Sequence, residues 1–239
     1  MAEPSAAVAL PGADAVLVRL AARFGQVAVV SGRPVPFLVE RLPRAAASAV
    51  ELVGLYGLEV AGPDGVVRSH PEVARWQGAV DEAADLLAAA APPGVLVERK
   101  GASVTVHWRA DPGCEPWVRD AVGAEAGRSG LAAHPARASL ELRPPVAVDK
   151  GTVVEERCAG MVAACYLGDD VGDVPAFAAL RRWAAATGAA AVGVAAEDEE
   201  TDPTVRSAAD VVVPGPAAVL AILDWLAGAA PSGAASADT

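Results

Sequence analysis

The sequence predicts an α/β core that carries an inserted α+β unit. Three observations predict it. The chain opens as helix, strand, helix, strand, the pattern of a parallel sheet flanked by helices. Its middle holds two alternating runs around Gly101-Ala102, a hairpin signal, set between helices. The helix–strand alternation then returns and closes the chain. The 239 residues suffice for such a core with an insert. Hydrophobic residues make up 53% but aromatics only 4%, so Ala, Val and Leu must build the interior.

Met1 to Pro11 reads as a weakly ordered start. Asp14 to Phe24 has helical spacing, with Val16, Leu17, Leu20 and Phe24 on one face and Gly25 as the stop. Gln26 to Ser31 is a short Val-rich run and reads as a buried strand. Phe37 to Leu42 follows as a helix and Val50 to Leu55 as a strand. Glu72 to Ala90 is a long amphipathic helix. Val95 to Lys100 and Ser103 to Arg109 form the hairpin, Trp117 to Ala126 a helix, and Ser139 to Leu142 a further strand. Lys150 to Cys158 is helical, and Val162 to Leu167 is an apolar strand ending at Gly168-Asp169-Asp170. Val174 to Ala186 is a helix, Ala191 to Val194 and Val211 to Val213 are strands, and Pro216 to Ala227 closes as a helix. The expected boundaries are core at 1–69, insert at 70–146, core again at 147–228 and a loose Gly/Ala/Ser-rich tail at 229–239.

A net charge of −11 without a basic run argues against nucleic acid and anionic membranes as partners. A small anionic substrate stays possible, because a local cation overrides the global field. Only two of the 19 basic residues are lysines, Lys100 and Lys150. The three cysteines lack metal-ligand spacing and read as reduced thiols. Residues 183–196 are too short and Gly-rich to span a bilayer, and the N-terminus lacks a signal-peptide pattern. A cytoplasmic location is expected.

Asp169, Asp170 and Asp173 crowd three carboxylates after a strand. They either hold a hard cation such as Mg²⁺ or cap a helix N-terminus. Ser31-Gly32-Arg33-Pro34 also follows a strand, and is either an oxyanion cradle or an ordinary turn. Lys150 opens a helix against its dipole, so it either meets a negative partner or is solvated. Glu98 with Lys100, and His107 with Arg109, share strand faces by the period of two. That face is either a hydroxyl-binding surface or the solvated side of a sheet.

In order along the chain, these segments resemble the haloacid-dehalogenase superfamily and, within it, the trehalose-6-phosphate phosphatases. The resemblance rests on Ser31-Gly32-Arg33, Asp149-Lys150-Gly151 and Gly168-Asp169-Asp170-Val171-Gly172-Asp173. It rests further on Gly54-Leu55-Tyr56-Gly57-Leu58-Glu59, Val97-Glu98-Arg99-Lys100, Val106-His107-Trp108-Arg109, Glu141-Leu142-Arg143-Pro144 and Val174-Pro175-Ala176-Phe177. It implies a Rossmann-like parallel core with an α+β cap, and Mg²⁺-dependent hydrolysis of trehalose 6-phosphate through an aspartyl-phosphate. Ser31 and Lys150 would act on the phosphoryl group, and Asp169, Asp170 and Asp173 on the metal. Arg33, Glu98, Lys100, His107, Arg109 and Glu141 would bind the substrate, with Glu98, Lys100, His107 and Arg109 on the sugar hydroxyls. The family usually has Thr where Gly172 stands, and acidic residues at Val174 and Pro175.

The superfamily's first motif, Asp-x-Asp-Gly-Thr, occurs nowhere in the sequence. Its first Asp is the nucleophile, carried at the end of the first core strand. The expectation is therefore a core whose first strand is missing, between those ending at Ser31 and Leu167, through a misplaced start or a true loss. A poor phosphatase is expected to follow.

Overall fold

The computed structural model describes residues 8–136, 138–199 and 201–228. The tail expected at 229–239 and the first seven residues lie outside the described residues. Helix α1 spans Ala13–Ala21 and buries Val16 and Leu20. It stops three residues earlier than its spacing suggested, which leaves Phe24 exposed beyond it. Strands β1, Val27–Val30, and β2, Val50–Gly54, pair in parallel with Val27 opposite Val50. Helices α2, Val35–Arg41, and α3, Pro43–Ala46, make the crossover. The Asp14 carboxylate accepts from Arg44 N and Ala45 N at 3.0 and 2.8 Å, tying α1 to the start of α3. Two short strands follow, β3 at Glu59–Ala61 and β4 at Val67–Ser69, both antiparallel. At three residues each, they are too short for a period of two to reveal.

The middle of the chain holds α4, Val73–Ala90, β5, Leu96–Arg99, β6, Val104–His107, and α5, Glu115–Ser129. Strands β7, Ala132–Ala136, and β8, Ser139–Arg143, complete an antiparallel sheet of order β5-β6-β8-β7. Strict alternation divides its two faces. Val104, Val106, Leu140 and Leu142 pack with Val80, Leu87, Val118 and Val122 of α4 and α5. Thr105, His107, Ser139, Glu141 and Arg143 alternate with them and so belong to the opposite face. Strand β7 escaped sequence reading because Ala-Ala-His-Pro-Ala has no β-branched residue. Its Pro135 is admissible only because β7 is an edge strand.

The last third contributes α6, Lys150–Cys158, β9, Ala163–Gly168, α7, Val174–Thr187, and β10, Ala190–Glu197. Then come α8, Pro203–Ala208, β11, Val211–Pro214, and α9, Gly215–Gly228. Strands β9, β10 and β11 form a parallel sheet in the order β11-β10-β9. Among the described residues, β1 pairs only with β2 and β9 only with β10. The parallel strands thus fall into two sheets whose edges are the two strands flanking the position expected to be vacant. This corrects the reading of β1 as a buried strand: all four of its residues are only half-buried. No helix among the described residues is long and apolar enough to cross a membrane.

Candidate active site

A cleft of about 270 Å³ lies where the strand ends meet the polar face of the antiparallel sheet. Its lower wall consists of Ser31, Gly32 and Arg33 after β1, Tyr56 after β2, Lys150 at the start of α6, and Asp169 and Asp170 after β9. Its upper wall consists of Glu98, Lys100, Thr105, His107, Ala136 and Ser139. Carboxyl ends of parallel strands are where open α/β sheets place their sites. A larger depression beside α5, about 500 Å³, is open and brings no such chemistry together.

The Ser31 loop is shaped by its own atoms. Ser31 Oγ accepts from Arg33 N at 3.1 Å, and the Glu59 carboxylate accepts from Val35 N at 2.8 Å, at the start of α2. Gly32 is required here, because a Cβ would stand 2.5 Å from the Tyr56 ring. Leu55 and Tyr56 have φ of 48° and 62°, a costly left-handed conformation for such side chains. Their N–H groups donate to Arg33 O and Ser31 O at 3.0 and 2.9 Å, which holds the turn against the loop. The Arg143 guanidinium lies 3.5 Å from the Tyr56 ring centroid. Burial, then the charge of Glu141, pushes the Tyr56 hydroxyl up to about 12.

Lys150 follows the capping residue of α6: Asp149 Oδ1 accepts from Thr152 N at 2.9 Å, and Thr152 Oγ1 accepts from Asp149 N at 3.1 Å. The dipole conflict is resolved by a negative partner. Lys150 Nζ donates to Asp173 Oδ1 at 2.6 Å, with both side chains buried. Tyr166 Oη donates to the same oxygen at 2.6 Å, and Asp173 Oδ2 accepts from Asp169 N and Asp170 N at 3.1 and 3.0 Å. Gly168 makes room for it, since a Cβ there would fall 2.4 Å from Asp173 Cγ. Burial raises the Asp173 carboxyl, but Lys150 and these hydrogen bonds outweigh it and hold the group below its ordinary value. Tyr166 is driven well above its ordinary range by burial and the Asp173 charge.

The expected trio of metal-binding aspartates is corrected by this arrangement. Asp173 turns inward and its oxygens are engaged by Lys150, Tyr166 and two backbone N–H groups. Among the described residues, no group of three or more His, Cys, Asp or Glu stands ready to hold an ion. Asp169 and Asp170 alone face the cleft. Burial, then the charges of Asp173, Asp170 and Asp198, raises the Asp169 carboxyl despite Lys150.

On the upper wall, Glu98 joins the two sides. Its Oε1 accepts from Arg33 Nη1 at 2.9 Å, and its Oε2 lies 2.8 Å from His107 Nε2. Arg33 also stacks on Phe37, 5.1 Å from the ring centroid. Burial raises the Glu98 carboxyl, but His107, Lys100 and Arg33 prevail and lower it. Glu141 lies behind the wall and does not line the cleft. It is fully buried, accepts from Ser103 Oγ at 2.6 Å, and pairs with Lys100 Nζ at 3.5 Å and Arg143 Nη2 at 2.9 Å. Its place is to position Lys100 and Arg143, which corrects its reading as a residue of the binding surface. Arg109 does not line the cleft either. Strand β6 ends at His107 and the chain turns at Arg109, so the period of two no longer applies.

Sequence reasoning passed over Tyr56, Thr105 and Tyr166. Thr105 was legible, since it stands two residues from His107 on a called strand. Tyr56 stood within a stretch that carries the resemblance but was given no role, and Tyr166 gave no signal.

The profile of the family described as trehalose-phosphatase matches residues 1–212. The chain belongs to the trehalose-phosphatase family. It is 36% identical over 189 residues to a trehalose-phosphate phosphatase of Mycolicibacterium paratuberculosis, covering 75% of this chain and 47% of that protein. The chain thus spans about half the length of the curated relatives it matches. Among solved structures, a trehalose-6-phosphate phosphatase related protein superposes with a TM-score of 0.76 at 21% identity, covering 95% of this chain and 91% of that one. A haloacid dehalogenase-like hydrolase of Bacteroides thetaiotaomicron superposes at 0.57 with 15% identity, covering 88% of this chain and 90% of that one. These likenesses place the fold among haloacid-dehalogenase-like proteins, a Rossmann-like core with an added α+β unit.

Proposed function

We propose that the cleft takes a sugar phosphate monoester, trehalose 6-phosphate, for hydrolysis to trehalose and phosphate. The observation that carries this reading is the convergence of Ser31 and Lys150 from the core with Glu98, Lys100 and His107 from the α+β unit on one cleft. The lower wall suits a phosphoryl group: Lys150 brings a buried positive charge and Ser31 a hydroxyl. The upper wall suits a hydroxylated ligand, with a carboxylate, an ammonium and an imidazole set on rigid strands. As a cap over residues 70–146, it would read the sugar and exclude water. The mycobacterial relatives named trehalose-phosphate phosphatase support the same substrate.

Asp169 and Asp170 fit Mg²⁺ in kind, as hard oxygen donors in an acidic, partly buried place. Bound there, the ion would neutralise phosphoryl charge. Asp173 would act from behind, holding Lys150 and the Asp169 backbone. The family's aspartyl nucleophile has no counterpart motif in this sequence, so these residues supply binding, orientation and charge. A second reading is sugar-phosphate binding without turnover.

The test is calorimetry of the 239-residue chain with Mg²⁺ against trehalose 6-phosphate, glucose 6-phosphate and an aryl phosphate, with phosphate release measured in parallel. Binding that prefers trehalose 6-phosphate and strengthens with Mg²⁺ is the expected result. Equal binding of all three sets the substrate aside in favour of a broader sugar or general phosphatase. Binding with negligible phosphate release selects the second reading.

A further inference from the structure

On the β5-β6-β8-β7 sheet, one row of cross-strand neighbours reads Glu98, Thr105, Glu141, His134. Thr105 occupies its centre. It is 1% exposed and lines the cleft, yet its hydroxyl has no hydrogen-bond partner. Of its strand neighbours, Glu98 is engaged by Arg33 and His107, while Glu141 accepts from Ser103 and forms ion pairs with Lys100 and Arg143, its Oε2 being a second buried oxygen without a hydrogen bond. An orphaned buried hydroxyl is a cost that a free protein has no reason to carry, since Val fills nearly the same volume. The cost is recovered when a ligand group completes the hydrogen bond.

We propose that Thr105 is a specificity-determining residue whose hydroxyl bonds a sugar hydroxyl of the ligand, beside Glu98 on the cleft wall. This rests on the sugar-phosphate reading above and extends it to a residue outside the charged set. Thr105 is assigned to the sugar and not to the phosphoryl group, because it stands on β6 among the residues of the antiparallel sheet, whereas Ser31, Lys150 and Asp169 come from the parallel core.

Thr105→Val and Thr105→Ser in the full chain test it, with trehalose 6-phosphate and inorganic phosphate titrated calorimetrically. Thr105→Val should weaken trehalose 6-phosphate about 3- to 10-fold, the worth of one neutral hydrogen bond, and leave inorganic phosphate unchanged. Its free-state melting temperature should hold or rise, whereas a hydroxyl with a structural partner would lower it. Thr105→Ser should restore most of the affinity. Unchanged trehalose 6-phosphate affinity in Thr105→Val overturns the inference and leaves the sugar-phosphate reading standing. Equal losses for both ligands with a lowered melting temperature overturn it as well. Wild-type chain that binds inorganic phosphate but not trehalose 6-phosphate overturns both.

Discussion

The antiparallel unit and the parallel sheets are stabilised in different ways. In the antiparallel unit, one continuous apolar cluster from α4, α5, β6 and β8 fills one face, and the other face is left to polar chemistry. In the parallel part, the buried side chains fall into separate smaller clusters, and among the described residues the parallel strands form two sheets that do not pair with each other. What ties the second of these sheets to the site is the buried Lys150–Asp173 pair with Tyr166. The lesson is that the antiparallel unit keeps its apolar layer and its polar face apart, even where that face buries Ser103, Thr105 and Glu141. In the parallel part the buried Lys150–Asp173 pair lies at the strand ends that line the cleft, so function and stability meet in the same residues there.

The largest expected effect breaks the comparison on the parallel side. Asp173→Asn leaves the Lys150 ammonium buried without its counter-charge and should cost about 3–5 kcal/mol. Urea unfolding followed by circular dichroism measures it. A loss below about 1 kcal/mol would show that the pair is not integral to that interior. On the antiparallel side, Leu142→Ala opens a cavity in the apolar cluster and should cost about 2–5 kcal/mol. Hydrogen exchange then sharpens the contrast: protection should fall in β5, β6 and β8 and persist in β9 and β10. Equal loss in both places would mean that the two parts unfold as one.

The smallest effect concerns pH. The Glu98 carboxyl lies below its ordinary value of 4.5, so its pairing stabilises the fold fully above that value. The contribution disappears as pH falls through the lowered value, when the folded carboxyl also takes up a proton. Glu98→Gln should therefore flatten the acid side of the stability profile while leaving its shape near neutrality unchanged. Thermal melts between pH 3 and pH 7 detect this, and an unaltered acid limb in Glu98→Gln would remove Glu98 as a contributor.

The sequence by itself determined the order of the longer elements, but not the short β3 and β4 or the edge strand β7. Periodicity is local, so α6 came out at Lys150–Cys158 as expected, and β6 and β8 showed their apolar face in the alternation of Val104, Val106, Leu140 and Leu142. Periodicity placed Glu98 with Lys100, and His107, on strand faces, the resemblance supplied their expected role, and they line one cleft with Ser31 and Lys150. The tertiary structure alone decided which charges face the ligand and which are spent inside. Asp173 and Glu141 carry the same kind of carboxylate as Asp169 and Glu98. They were taken inward by partners 23 residues away in one case and 38 in the other, Lys150 and Ser103. Spacing along a chain cannot show such pairing, because desolvation and hydrogen bonding act between residues that only folding brings together.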